Sequence, residues 1–436
     1  MTALVRILIG VAGVPAERRA SARADLVAAF TRYALSAFGP IAISGAHFIA
    51  ALILLHALPR AAFGLFSFLM VVSPFALSVC GAFFAPPIAR AIAKPEGASV
   101  AETLTYFKAN AVFAIAAVLV LGFVMFASGA NLSLALIFAL YGGVMSTRWF
   151  ARCWAYGATQ TVRVLSSDLA YSGLVIAGLL ATLLAHALTI LSAALVLLFA
   201  AAASLAMFGA TYFRPQWTAL WRGELKPFIR VWRELSGWAV LGVASSEATV
   251  NAHAYLVTFL SGPHAFAVIA VGALLMRPVS LVLTALPDME RPLMSRALGA
   301  GQKDRAFRNV KEFRTAAGAI WLATILAAAA LLTWFPGLIL KHDYPFADVV
   351  AVVALSAAIM ALRTLRTPES VLLQAAGQFK RLAGVGVWAS AVSLTATFVL
   401  LLVFGPVAAL IGILSGEAVA TQRTFALARS WKAGHG

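Results

Sequence analysis

The sequence predicts an all-α integral membrane protein with about twelve transmembrane helices in two six-helix lobes. The composition is the first indication of this class. Hydrophobic residues make up 62% of the 436 residues and charged residues only 11%, whereas a soluble domain carries about 25% charged residues. The mean hydropathy is +0.93. Such a chain has too few polar side chains to cover a surface in water, so lipid must cover most of it.

The second indication is a series of twelve apolar segments, each long enough for a bilayer that needs about 20 residues per helix. We number them spans 1 to 12 in chain order. Their predicted limits are Tyr33–Ala57, Ala61–Phe84, Asn110–Ala127, Leu132–Phe150, Leu169–Ala187, Leu191–Tyr212, Gly237–Leu260, His264–Leu286, Thr315–Phe335, Ala347–Leu365, Leu382–Phe404 and Val407–Ala428.

The third indication is the position of the basic residues. The net charge of +17 would fit a nucleic-acid-binding protein, but the Lys and Arg residues lie in short segments between the apolar runs. When the spans alternate in direction, 30 of the 33 fall on one side of the membrane. Only Arg60 and Lys341 fall on the other, and Arg277 lies within span 8. Cytoplasmic loops carry such an excess, so we expect both termini in the cytoplasm and no nucleic-acid partner.

This topology makes a testable prediction. A reporter that is active only in the periplasm, fused after Ser430, should give no signal, because Ser430 follows an even number of spans. The measurement is reporter activity in intact cells, and a fusion in the loop after Lys341 is the positive control. A strong signal from the Ser430 fusion would contradict the predicted orientation.

Four regions follow from the spans and the charges. We expect a basic cytoplasmic tail that lies on the membrane surface, an N-terminal lobe, an inter-lobe linker in the cytoplasm, and a C-terminal lobe with a short tail. Their limits are 1–32, 33–212, 213–236 and 237–436.

The segments outside the spans carry no sign of catalysis. The predicted external loops are short, so we expect no external domain and no enzymatic activity. The two cysteines, Cys80 and Cys153, form neither a disulfide framework nor a metal-binding pattern. We therefore expect no cofactor and no metal.

A short internal repeat supports the two-lobe arrangement. The pattern Pro-x-apolar-x-Arg-Ala-apolar occurs at Pro86–Ile92 after span 2 and at Pro292–Leu298 after span 8. Both halves begin on the same side, so the repeat is parallel, as between the halves of many transporters. Pro74 and Pro278 lie within spans 2 and 8 and should bend these helices beside a central cleft. The alternative is that proline is simply common in membrane helices.

Two segments carry a resemblance to a known family. They are the turn into span 2, Leu58–Phe66, and the end of span 8, Pro292–Arg296 followed by Gly301–Asp304. With the overall layout, they resemble the multidrug/oligosaccharidyl-lipid/polysaccharide exporter superfamily, and within it the bacterial polysaccharide flippases of the O-antigen type. The resemblance implies a V-shaped pair of lobes with spans 1, 2, 7 and 8 around a central cavity.

The same resemblance implies a substrate and a setting. The substrate would be a polyprenyl-pyrophosphate-linked oligosaccharide that crosses the bacterial inner membrane by alternating access. Membrane lipids would surround the protein, and glycosyltransferases or a polysaccharide polymerase would be its partners.

Polar residues within the spans are candidates for the substrate site, because ionisable groups in the hydrocarbon region are costly. Span 7 carries Glu247, Asn251 and His253, span 8 carries Arg277, and span 1 carries Ser44 and His47. We expect Glu247 and Arg277 to lie close together. Two interpretations remain open: a structural ion pair between spans 7 and 8, or a cavity pair in which Arg277 meets the pyrophosphate. For His47, packing and ligand contact are equally compatible with the sequence.

Two further groups of charges allow alternatives. Arg148 and Arg152 lie one turn apart at the inner end of span 4 beside Trp149, which is typical of anchoring at the membrane interface. A phosphate-attracting role at the cavity mouth is the alternative, since arginine binds phosphate with two parallel hydrogen bonds. Asp168 is expected to cap span 5, and Glu417 in span 12 is expected to support helix packing.

Three other functions compete with the flippase. A cation-coupled multidrug exporter of the same superfamily would favour carboxylates in the cavity, yet spans 1 and 2 have none. A membrane enzyme, such as a sugar polymerase or lipid ligase, would need a sizeable external loop. A non-transport component of a glycan-assembly complex remains compatible with the sequence.

Overall fold

The computed structural model describes residues 38–92, 96–338 and 344–434, and there the chain is helical without strands. We number its helices α1 to α16. They are Phe38–Ala57, Arg60–Ile92, Val100–Ala127, Leu132–Gly157, Thr161–Leu184, Ile190–Ala206, Ala210–Arg222, Lys226–Val231, Gly237–Val250, Ala252–Ser261, Pro263–Leu275, Arg277–Gly299, Lys303–Trp334, Phe346–Ala375, Phe379–Phe404 and Ala409–Ala433. A π-helical turn, Trp232–Ser236, joins α8 to α9, and the 3-10 turn Pro336–Leu338 follows α13. The predicted tail 1–32 lies outside the described residues.

Each predicted span coincides with helical structure, which confirms an all-α, multi-pass membrane protein. Spans 1 to 6 are α1 to α6, span 7 is α9 with α10, span 8 is α11 with α12, and spans 9 to 12 are α13 to α16. By length and apolarity, eight helices of the described chain can cross a membrane, or ten if each of two bent helix pairs is one span. The remaining two predicted spans are the broken α9–α10 and the more polar α16.

Several span boundaries were predicted wrongly, and three of them have a clear physical reason. Helix α3 begins ten residues earlier than span 3, because Ser99 and Glu102 form a reciprocal capping box at its start. Helix α13 begins at Lys303 rather than at Thr315, so its polar first turns extend the apolar helix. Span 6 ends early: the chain turns by 99° between α6 and α7, and Gly209 at this corner has a φ of 67°, a conformation that glycine adopts without strain.

The prediction of paired bends in spans 2 and 8 was only half correct. Helix α2 runs through Pro74 without a break, whereas span 8 breaks at Met276 with a bend of 59°. Pro278 has no N–H, so a continuous helix there would lose one backbone hydrogen bond. Span 7 also breaks, at Asn251. The C-terminal lobe therefore carries both breaks among the four helices that were expected to surround the cavity.

The buried apolar side chains show where the lobes meet. One cluster draws on both lobes and includes Leu54 and Phe68 together with Val257 and Phe266. Two other clusters each belong to a single lobe. The cluster around Phe84, Phe107 and Phe150 lies in the N-terminal lobe, and the cluster around Met294, Phe313 and Leu372 lies in the C-terminal lobe. The lobes thus share a core at the end with the short turns, and have separate cores at the end with the basic loops.

One face of α2 forms the contact at this shared end. Arg60 donates a 2.9 Å hydrogen bond from Nε to the carbonyl oxygen of His264. One turn further on, Gly64 packs directly against the backbone of Pro263. After another turn, Phe68 makes edge-to-face contacts with Tyr255, Phe259 and Phe266 at ring-centroid distances of 5.7, 5.7 and 6.2 Å. Aromatic pairs in this geometry are attractive beyond the area that they bury.

The contact at Gly64 makes a testable prediction. Any Cβ at residue 64 would overlap the Pro263 carbonyl group, so Gly64→Val should separate the lobes at the short-turn end. The measurement is the reaction of a Ser67→Cys variant with a membrane-impermeant thiol reagent added from that side. Reaction should be fast only when Gly64→Val is also present. Gly45→Val is the matched control, because Gly45 has open space around it. Equal reaction in both backgrounds would show that the contact does not close this end.

Candidate functional site

A cavity of about 100 Å³ lies between the lobes, below the α2–α11 contact. Its lining residues are His47, Phe48 and Ala51 of α1, Phe63, Phe66, Ser67, Met70 and Val71 of α2, Phe266, Ala270, Ala273 and Leu274 of α11, and Arg277 at the start of α12. Spans 1, 2 and 8 therefore line it, as the resemblance implied. None of the described side chains of span 7 is among the lining residues, and this span reaches the region through the contact of Tyr255 with Phe68.

Arg277 gives this mostly apolar cavity its charge. The break at Met276 ends α11, and Arg277 then begins α12 on the cavity wall. Among the residues that the structure describes, the Arg277 guanidinium has no hydrogen-bond or ion-pair partner. The described residues of the lining include no Asp or Glu. The cavity can therefore offer five N–H donors and a positive charge to an anion.

The predicted proximity of Glu247 to Arg277 is wrong for this structure. The Glu247 carboxylate instead accepts hydrogen bonds from Asn251 Nδ2 at 3.0 Å and from the Tyr255 hydroxyl at 2.8 Å. Asn251 and Tyr255 follow Glu247 by four and eight residues, which is about one and two helical turns. The carboxylate therefore finds its hydrogen-bond donors within its own span. Both of the interpretations proposed for a Glu247–Arg277 pair therefore lack their contact here.

His47 connects the cavity to a polar chain inside the N-terminal lobe. Its Nε2 atom lies 2.8 Å from the Tyr171 hydroxyl, which lies 2.9 Å from the Tyr141 hydroxyl. The Arg148 guanidinium stands 5.0 Å from the centre of the Tyr171 ring, a favourable cation–π distance. His47 thus touches the cavity on one side and hydrogen-bonds into the lobe on the other, so the packing role is present and the ligand contact stays a prediction.

Arg148 and Arg152 share one carboxylate in the lobe interior. Arg148 Nη2 lies 2.6 Å from Asp168 Oδ1, and Arg152 Nη2 lies 3.0 Å from Asp168 Oδ2. The side chains of Arg148 and Asp168 have 0% exposure. Arg148 Nε also donates to Ser167 Oγ at 3.1 Å, and Arg152 stacks on Trp149. We call Arg148, Arg152 and Asp168 the N-lobe triad.

The N-lobe triad corrects three expectations. Interface anchoring is wrong for Arg148, because the side chain is fully buried. Neither Arg148 nor Arg152 lines the cavity, so the phosphate-attracting role at its mouth has no support in this conformation. Asp168 does not cap span 5, because α5 begins seven residues earlier at Thr161. The carboxylate lies instead against Gly39 of α1, where α1, α4 and α5 meet.

The C-terminal lobe contains two comparable triads. Arg363 Nε and Arg366 Nη2 lie 2.7 and 2.9 Å from the two oxygens of Glu417. In the second, Glu369 pairs with Arg314 Nη2 at 2.8 Å and with Lys432 Nζ at 3.1 Å. Glu417 thus joins α14 to α16, which agrees with its expected packing role. Each of the three triads combines two cations with one carboxylate and carries a net charge of +1.

Sequence reasoning missed several members of these networks. Tyr171 and Tyr141 lack any signal, since a single tyrosine in an apolar helix is ordinary. The arginines did carry a signal: spans 4 and 10 occupy equivalent places in the repeat, and each has two arginines about one turn apart. Two neighbouring buried cations need a carboxylate from another helix. The other candidates, Ser44, Asn251 and His253, do not line the cavity.

The comparisons with known proteins identify the fold. No family model and no curated protein matches the sequence, but solved structures do. An inward-facing multidrug resistance MATE family transporter of the MOP superfamily matches with a TM-score of 0.67 and 15% identity, over 93% of this chain and 95% of that one. An outward-facing structure of such a transporter matches with a TM-score of 0.60 and 14% identity, over 93% and 95% of the two chains.

A third structure with this fold is a MOP superfamily transporter from Pyrococcus furiosus, described as having a binding pocket of reversed polarity. It matches with a TM-score of 0.57 and 13% identity, over 93% of this chain and 95% of that one. At such low identities the likeness concerns the fold alone. This chain is a multi-pass α-helical membrane protein of two lobes with the fold of the MATE transporters of the MOP superfamily.

Proposed function

We propose that this protein is an alternating-access transporter that moves a polyprenyl-pyrophosphate-linked oligosaccharide across the bacterial inner membrane for surface polysaccharide synthesis. It acts as a carrier and not as an enzyme. The observation that carries the proposal is the Arg277 guanidinium on the cavity wall, without a partner among the described residues. A pyrophosphate is the kind of anion that a planar guanidinium binds with two parallel hydrogen bonds.

The surroundings of Arg277 support an anionic substrate. A cation would have to enter a cavity whose described lining residues include an arginine and no carboxylate. The N-lobe triad behind His47 adds a net charge of +1, and a buried charge is screened less than an exposed one. The apolar side chains of Phe48, Phe63 and Phe66 can receive the first isoprene units of the lipid.

The positions of the cores support alternating access. The lobes share one core at the short-turn end and have separate cores at the basic end. If the basic end is cytoplasmic, as the charge asymmetry predicts, the cavity can receive lipid-linked substrate made on the cytoplasmic leaflet. The TM-score to the inward-facing transporter is higher than that to the outward-facing one, which agrees with a cavity accessible from the basic end. Transport would then require the α2–α11 contact to open.

A cation-coupled multidrug exporter is the second candidate. The aromatic lining of Phe48, Phe63, Phe66 and Phe266 favours it, because aromatic faces attract organic cations. Arg277, which has no partner among the described residues, opposes it. Glu247 could not serve as the coupling carboxylate in this conformation without losing its bonds to Asn251 and Tyr255.

The two candidates predict different phenotypes for a deletion strain. A flippase deletion should accumulate lipid-linked repeat units on the cytoplasmic leaflet and lose surface polysaccharide, because the substrate can no longer cross. The measurement is extraction of polyprenyl-linked glycans together with their accessibility to an impermeant glycan-binding reagent. The complemented strain is the control. Unchanged glycan with increased sensitivity to cationic dyes would favour the exporter.

A further inference from the structure

The inter-lobe linker contains a helix with an apolar face that no other part of the described chain covers. Helix α7 exposes Phe213, Trp217, Leu220 and Trp221. Their spacing of four, three and one residues places them on one side of an α-helix. We call these four side chains the α7 surface face. Trp217 and Trp221 are 65% and 74% exposed, and a contiguous exposed apolar patch of this kind is typical of a surface that contacts a protein or a membrane.

The opposite side of α7 is fixed to the N-terminal lobe. Asn110 Nδ2 of α3 donates to the Tyr212 hydroxyl at 3.3 Å and to Gln216 Oε1 at 3.2 Å. Gln216 Nε2 donates to the Phe107 carbonyl oxygen at 3.1 Å, and Ala219 is completely buried. These contacts fix the rotation of α7 about its own axis. The α7 surface face therefore cannot turn inward to pack against the N-terminal lobe.

The direction of α7 indicates what covers this face. Helix α6 is an apolar span, and α7 follows after three residues at an angle of 99°. Arg163 holds the corner through the Phe208 carbonyl oxygen and the Thr211 hydroxyl. A helix perpendicular to a spanning helix, at the point where that helix leaves the hydrocarbon, lies along the plane of the membrane surface.

The charges around the surface face indicate which lipids it meets. Arg214 and Arg222 flank the aromatic side chains, and Lys226, Arg230 and Arg233 follow in the linker. Residues 210–236 contain two acids, Glu224 and Glu234, and Glu234 is already paired with Arg230. Tryptophan and arginine together are typical of the interface between headgroups and acyl chains, and each basic residue near an anionic surface strengthens binding.

We propose that the α7 surface face is an anchor that binds the anionic headgroup region of the leaflet at the basic end. The tryptophans insert at the boundary between headgroups and acyl chains, and Arg214 and Arg222 bind lipid phosphates above them. Because α7 belongs to the linker between the lobes, anionic lipid holds the N-terminal end of that linker in place. The anchor does not depend on the transported substrate.

Spin-label depth measurements on the full chain test this anchor. The labels are placed at Trp221→Cys and Leu220→Cys in a Cys153→Ser background, and Cys80 is retained because it is buried. Phe123→Cys on the exposed side of α3 is the lipid reference. Gln302→Cys, in the loop before α13, is the water reference. The vesicles contain phosphatidylcholine alone or an equal mixture of phosphatidylcholine and phosphatidylglycerol.

The expected result is an intermediate depth for both labels, about 5–10 Å into the boundary region, with greater oxygen accessibility than at residue 302. The depth should increase when phosphatidylglycerol is present. The double change Arg214→Gln and Arg222→Gln should remove this increase while leaving the label at residue 123 unchanged. A label in water, or a depth independent of phosphatidylglycerol, would overturn the proposal. Shielding from both oxygen and the aqueous reagent would also overturn it, because a second copy or another protein would then cover the face.

Discussion

Replacing Arg277 should strongly reduce transport at low substrate concentration while the protein remains inserted and folded. A hydrogen bond to a charged group contributes about 1.5–3 kcal/mol, so Arg277→Gln should weaken substrate binding by about 10- to 100-fold. Arg277→Lys should restore only part of the activity, because lysine keeps the charge but loses the planar pair of donors. The measurement is the rate of translocation of a fluorescent polyprenyl-pyrophosphate glycan in proteoliposomes at several substrate concentrations.

Two controls make this result specific. Arg305→Gln removes an exposed arginine at the basic end and should leave the rate unchanged. Glu247→Gln tests the absent ion pair: because Glu247 bonds to Asn251 and Tyr255 instead, its effect should add to that of Arg277→Gln. Normal transport by Arg277→Gln would remove Arg277 from the substrate site. A non-additive double mutant would show that the two side chains meet in another conformation.

Removing the carboxylate of the N-lobe triad should cause the largest loss of stability. Asp168→Asn leaves Arg148 and Arg152 buried without their counter-charge, and such a loss costs about 3–5 kcal/mol of unfolding free energy. The shape of the side chain is preserved, so the effect reports charge and not a cavity. The measurement is the unfolding free energy of the purified protein in mixed detergent micelles titrated with a denaturing detergent.

The matched control is Glu234→Gln, which breaks the exposed pair between Arg230 and Glu234 on one helical turn. Exposed ion pairs contribute about 0–1 kcal/mol, so this variant should unfold almost like the parent. Equal losses for Asp168→Asn and Glu234→Gln would show that water reaches the N-lobe triad. A large loss for Asp168→Asn alone would establish that the triad is dry.

Much of the fold could be predicted from the sequence, because hydropathy reports directly on which segments lipid can cover. All twelve spans coincide with helices. Of the four spans that the resemblance implied around a central cavity, spans 1, 2 and 8 line it. The boundary errors arose where polar turns extend an apolar helix, as at Lys303. Hydropathy measures the apolar stretch and not the hydrogen-bonded helix, so such extensions are invisible to it.

The errors in the site have a different cause. Asp168 follows two serines and looks like a cap in its local sequence, but its partners Arg148 and Arg152 come from another helix. The predicted Glu247–Arg277 pair rested on the rule that a buried charge needs a partner. Glu247 instead accepts hydrogen bonds from Asn251 and Tyr255 of its own span, and Arg277 lies on the cavity wall. A single sequence shows that a buried charged side chain needs a partner. The tertiary structure determines which residue is close enough to be that partner.

The triads also affect how the chain enters the membrane during synthesis. Arg148 and Asp168 are 20 residues apart and lie on consecutive helices, so α4 and α5 can be inserted as one hairpin whose charges are already partly neutralised. Arg363 and Arg366 have no counter-charge from Glu417 until α16 is synthesised, because Glu417 lies 54 and 51 residues later in the sequence. Because charged groups in lipid are costly, we expect nascent chains that stop before α16 to hold α14 poorly, and quality-control proteases to remove them.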